Sequence, residues 1–110
     1  MKTHALTELP KDAWQEIDFI FWRNEVPCLP SGSSGDGFLP ENIETTKRGV
    51  EIDGTMTFLG GSRGYFEHPM VLCLGRPRFS SIESVTQAKL RSASISEAEI
   101  DDGTLYITVV

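Results

Sequence analysis

The stretch from Ala98 to Val110 constrains the fold more than any other part of the chain. Asp102-Gly103 lies between two runs of alternating apolar residues. A two-residue turn there pairs Asp101 with Thr104, Ile100 with Leu105 and Ala98 with Ile107. Ala98, Ile100, Leu105, Ile107 and Val109 then share one face. Asp-Gly suits the turn whose twist matches that of the flanking strands, so turn chemistry and facing agree. An antiparallel sheet is therefore expected.

Other elements follow from local patterns. Pro10 suits the first position of a helix, and Asp12 and Glu16 suit its positive end. Trp14, Ile17 and Phe21, widened by Ala13 and Ile20, form a helical stripe that predicts a helix to about Arg23. The segment 24–41 holds Pro27, Pro30, Pro40 and the run Ser31-Gly32-Ser33-Ser34-Gly35-Asp36-Gly37. Its composition predicts a long flexible loop, with Cys28, Leu29, Phe38 and Leu39 at its bases. Asp53-Gly54 suggests a second hairpin within Val50–Leu59: turn chemistry favours a two-residue turn, facing favours a three-residue loop over Asp53 to Thr55, and one bulge would reconcile them. Gly60 to Gly64 reads as a turn. Met70 to Leu74 is continuous apolar sequence of strand length and predicts a buried central strand. Ser80 and Glu83 are spaced as a capping box before a helix to about Arg91.

The order predicts a single α+β domain over 1–110, a mainly antiparallel sheet of about five strands with two helices packed on one face. At 110 residues, such a domain buries enough surface to fold without metal or disulfide. Cys28 and Cys73 are not in C-x-x-C spacing, and no apolar leader run follows Met1. Both are expected as free thiols in a reducing cytoplasmic compartment. The longest apolar run, Phe19 to Trp22, falls far short of a membrane span.

Chemical motifs are sparse. Gly60-Gly61-Ser62-Arg63-Gly64 matches G-x-S-x-G, but Tyr65-Phe66-Glu67-His68-Pro69 is not the helix that a nucleophile elbow requires. Cys28 lies between prolines, away from any helix N-terminus that would lower its pKa. His4 and His68 are isolated, so no metal set is expected, and no glycine-rich loop cradles phosphate. Arg76, Arg78, Lys89 and Arg91 with Phe79 form the one basic cluster, a weak basis for nucleic-acid binding in a chain of net charge −6.

Charge is segregated along the chain. Acids dominate from Met1 to Glu44 and again after Ser92, while bases dominate from Met56 to Arg91. This pattern predicts a non-enzymatic acidic binding protein with no cofactor. Its expected contacts are Asp12, Glu16 and Asp18 on the first helix, Glu97, Glu99 and Asp101 on the terminal hairpin, and Leu29 and Phe38 at the loop bases. The expected partner is a basic, nucleic-acid-handling protein, such as a nuclease toxin, with neither nucleic acid nor membrane bound directly. By analogy of size and charge, the profile is that of an inhibitor: an immunity protein or antitoxin, or a viral anti-defence protein such as an anti-CRISPR. The alternatives are a small enzyme or ligand-binding domain using Ser62 or Cys28, or a structural subunit of a larger assembly.

Overall fold

The computed structural model describes residues 2–30, 33–60 and 64–110. Strands β1 (Lys2–His4), β2 (Ser34–Thr46), β3 (Gly49–Leu59), β4 (Tyr65–Gly75), β5 (Ile95–Asp101) and β6 (Thr104–Val109) form one sheet in the order β1-β2-β3-β4-β6-β5. All pairings are antiparallel except β4 with β6, which is parallel. The α+β class holds, with six strands in a mixed sheet rather than about five. No helix among the described residues is long and apolar enough to cross a membrane.

The terminal hairpin forms as its sequence dictates. Asp101 pairs with Thr104, Ile100 with Leu105 and Ala98 with Ile107. Asp102 (φ 50°) and Gly103 (φ 80°) both occupy the left-handed region, as a turn matched to the strand twist requires. Helix α1 (Lys11–Arg23) follows its periodicity, burying Ala13, Ile17, Ile20 and Phe21. It begins one residue later than expected, with Pro10 as N-cap, and closes where the Asn24 side chain donates to the Ile20 carbonyl at 2.8 Å.

Three expectations are corrected. Asp53-Gly54 is no turn: β3 runs unbroken through it, and the β2–β3 hairpin turns at Lys47-Arg48. Gly54 is there for space, since a Cβ would strike the Phe38 ring and the Leu39 carbonyl oxygen. The expected loop over 24–41 ends early, because β2 takes up the chain from Ser34. Pairing with β3 overrides the loop-like composition, and irregularities between Gly35 and Gly37 and between Pro40 and Asn42 absorb the poor strand formers. The expected helix from Ser80 to Arg91 is instead a 3-10 turn, Ile82–Ser84, and a short helix α2, Gln87–Arg91. The Ser84 hydroxyl bonds back to Ser81, and the Thr86 hydroxyl accepts the Lys89 N–H at 3.3 Å, so capping restarts at Thr86. The expected turn at Gly60–Gly64 lies mostly outside the described residues; Gly60 N–H donates to the Gly64 carbonyl at 2.8 Å.

One core holds these elements together. Even-numbered positions of β3 (Val50, Ile52, Met56, Phe58) face α1 together with Met70, Leu72, Leu74, Leu105, Ile107 and Val109. At Gly35 the Cβ of Phe21 and the methyl of Met56 fill the space a side chain would need, so α1 sits close against β2. Both helices lie on this side. No described element packs on the other face of the sheet.

Candidate functional site

The uncovered face is set by the alternation of the strands. Because Val50 and Ile52 point into the core, Glu51 and Asp53 point out. Strand register extends this across the sheet. Thr3, Glu44, Glu51, Cys73, Thr108 and Glu97 form one cross-strand row, since each is paired with the next. Asn42, Asp53, Val71, Tyr106 and Glu99 form a second. Glu67, opposite Thr57, and Asp101, opposite Thr104, belong to the same face.

Among the described residues this face therefore carries seven carboxylates: Glu44, Glu51, Asp53, Glu67, Glu97, Glu99 and Asp101. Strands β2 to β6 contain no lysine or arginine at all. Among the described residues, the cations next to these strands lie at one end, Lys47 and Arg48 in the β2–β3 turn and Arg76 just after β4. The spacing is regular: neighbouring strands are about 4.8 Å apart, and alternate residues along a strand are about 7 Å apart. The surface is a field of negative charge interspersed with threonine, tyrosine and the apolar side chains of Leu39, Pro69 and Val71. Cys73, in its middle, is buried, and the burial together with the nearby Glu51 charge pushes its thiol up, against a smaller lowering by Arg48.

The residues expected to contact a partner divide into three groups. Glu97, Glu99 and Asp101 are exposed and lie together on β5 at the edge of this face. Asp12 and Asp18 are exposed but sit on α1, across the sheet from it, so the helix and hairpin acids do not form one surface. Asp18 accepts the Phe38 N–H at 3.1 Å. Glu16, Leu29 and Phe38 are buried. Leu29 and Phe38 belong to the core rather than to an exposed surface.

Glu16 has a structural task. Its carboxylate accepts Arg23 Nη1 at 2.6 Å and Arg91 Nε at 3.0 Å, tying α1 to α2. Burial raises its pKa, but the two guanidinium groups outweigh that and hold it below its ordinary 4.5. The residues that sequence reasoning missed are Glu44, Glu51, Asp53 and Glu67. The alternation Val50-Glu51-Ile52-Asp53 carries the signal, but the turn chemistry of Asp53-Gly54 masks it.

The remaining chemical candidates are also accounted for. Arg78 donates to the Lys89 carbonyl at 2.9 Å and lies 5.8 Å from the Phe79 ring centroid, while Lys89 Nζ donates back to the Arg78 carbonyl at 3.2 Å. With Arg91 on Glu16, most of the basic cluster is bound internally. Cys28 and Cys73 are both free thiols. Burial pushes the Cys28 thiol up, and Glu99 adds to that, so thiolate is disfavoured. Ser62 lies outside the described residues. Among those described, no three His, Cys, Asp or Glu side chains converge as metal ligands.

Compared with protein-family models, curated proteins and solved structures, the chain shows no significant match.

Proposed function

We propose that this protein is a non-enzymatic acidic inhibitor that occludes a basic, nucleic-acid-handling protein through the uncovered face of its sheet. The observation that carries this reading is the field of seven carboxylates on strands that contain no lysine or arginine. A protein that grips nucleic acid presents lysines and arginines to a regular line of phosphates. Glu97, Glu99 and Asp101 offer such cations a similar line of negative charge on a rigid strand. Tyr106, on β6 next to the edge strand β5, supplies an amphipathic ring beside Glu99, the kind of residue that dominates binding energy at interfaces. The mechanism is competition: carboxylates pair with the cations that would otherwise hold phosphate, and fields of opposite sign speed encounter. A reducing cytoplasmic setting fits two unpaired cysteines.

The test is affinity capture from the native cell lysate with wild type and with Asp53→Lys/Glu97→Lys/Glu99→Lys. These side chains are on the solvent side, so the fold tolerates the change. Wild type is expected to retain a basic protein that the variant loses. Association should slow as salt rises from about 0.05 to 0.5 M, over which the Debye length falls from roughly 14 Å to 4 Å. Equal capture by both proteins, with an association rate indifferent to salt, would overturn the reading.

A further inference from the structure

Helix α1 turns two large aromatic side chains away from the core it covers. Phe19 is 53% exposed and Trp22 61%. Gln15, Asp18, Phe19 and Trp22 are related by three- and four-residue steps, so they are neighbours on one helix surface. With Gly35 and Asp36 at the start of β2 they wall an open groove of about 490 Å³. The groove lies on the helix side of the sheet, so what it binds is separable from the uncovered acidic face.

Its chemistry is specific. Asp36 is the residue skipped by the register between Gly35 and Gly37, and an irregularity of this kind re-aims a side chain out of the ladder. The Asp18 carboxylate is held in place by the Phe38 N–H at 3.1 Å, which engages only Oδ1. No lysine or arginine is among the described lining residues. Arg23, the residue after Trp22, is turned away onto Glu16 and the Leu90 carbonyl. Two carboxylates beside two aromatic faces suit a cation that is also flat and weakly hydrated.

We infer that this groove receives an arginine side chain of a partner polypeptide, its guanidinium bonded to Asp18 and Asp36 and stacked on Trp22 or Phe19. A guanidinium meets each requirement. It matches carboxylates with paired donors, stacks on aromatic rings, and sheds water more readily than an ammonium. The apolar walls suit the methylene stem of the same side chain.

The test uses isotopically labelled protein titrated with capped Gly-Arg-Gly and with the same tripeptide carrying lysine, citrulline or leucine. The arginine peptide is expected to give saturable shifts of the Trp22 indole N–H and the Gly35 and Asp36 amides, leaving the Trp14 indole unmoved. Citrulline keeps the shape and loses the charge, and should weaken binding by about tenfold or more. Asp36→Asn and Asp18→Asn should each reduce the arginine response, and the rest of the spectrum reports whether the fold is intact. No saturable shift, an equal response to citrulline or leucine, or an equal response to lysine would each overturn the assignment to a guanidinium. None of these outcomes bears on capture by the sheet face, which the Glu97 and Glu99 variants read separately.

Discussion

Glu44 on β2 stands directly opposite Glu51 on β3, on the face of the sheet that no described element covers. Like charges so placed oppose strand pairing. The Thr46 hydroxyl donates to Glu51 and partly compensates. A surface arranged for its own stability would set a lysine at one of the two positions; a surface arranged for a cationic partner would not.

Glu44→Gln is accordingly expected to raise stability by about 0.2–1 kcal/mol. Urea denaturation should show a higher midpoint at unchanged slope. The gain should shrink in high salt, which screens the same repulsion in wild type. A midpoint that stays put or falls would show that the two carboxylates do not repel across the strands.

Glu16 and Asp18, two residues apart on α1, should respond oppositely to pH. The Glu16 carboxyl is held below 4.5 in the folded chain despite the opposing effect of burial, so the unfolded chain binds the proton more readily. Its contribution is complete above 4.5 and is lost as pH falls through the lower folded value. Burial raises the Asp18 carboxyl above 3.8, against a smaller lowering by the Phe38 N–H. Between 3.8 and that raised value the folded chain binds more protons, so this contribution falls as pH rises. At pH 7 Glu16→Gln should destabilise by about 1–3 kcal/mol through its charge-assisted bonds. Asp18→Asn should be neutral or stabilising, since an amide oxygen still accepts the Phe38 N–H. Thermal unfolding from pH 3 to 7 checks both, and parallel profiles for the two variants would contradict the assignment.

Gly54→Ala tests whether Asp53-Gly54 is strand or turn. In the strand, the new methyl meets the Phe38 ring and the Leu39 carbonyl, and overpacking of this kind costs roughly 1–3 kcal/mol. Gly37→Ala, where a Cβ meets nothing within 4 Å, is the control and should be close to neutral. Equal melting temperatures for the two variants would argue against the packing of Phe38 over Gly54.

Gly103→Val isolates backbone strain. A Cβ at Gly103 has open space, so the cost comes from φ alone. Holding a side-chain-bearing residue in the left-handed region costs about 1–2 kcal/mol, and β-branching favours the upper end. Chemical denaturation measures this, and an unchanged midpoint would sink the turn assignment.

Phe38→Ala distinguishes a core residue from a partner anchor. Phe38 is 8% exposed and lies over Gly54. Truncation should cost about 3–5 kcal/mol of stability. If it instead left stability unchanged and only weakened partner capture, Phe38 would be the loop-base anchor that its sequence context predicts.

Elements whose signals are local can be read from the residues alone. The β5–β6 hairpin was legible because Asp102-Gly103 and the alternation of Ala98, Ile100, Leu105 and Ile107 agree. Helix α1 was legible because Ala13, Ile17, Ile20 and Phe21 recur at the helical period. The rest depended on packing and strand pairing, because the relevant partners are distant in the chain. Gly54 reads as a turn residue until the Phe38 ring is found over it, and 34–41 reads as a loop until β3 supplies its pairing. Glu16 reads as a surface acid until Arg91, 75 residues away, closes on it. The acidic face was half-written in the alternation of Val50, Glu51, Ile52 and Asp53. Its breadth depended on register across all six strands, and its exposure on both helices packing against the other side, which no local pattern of residues encodes.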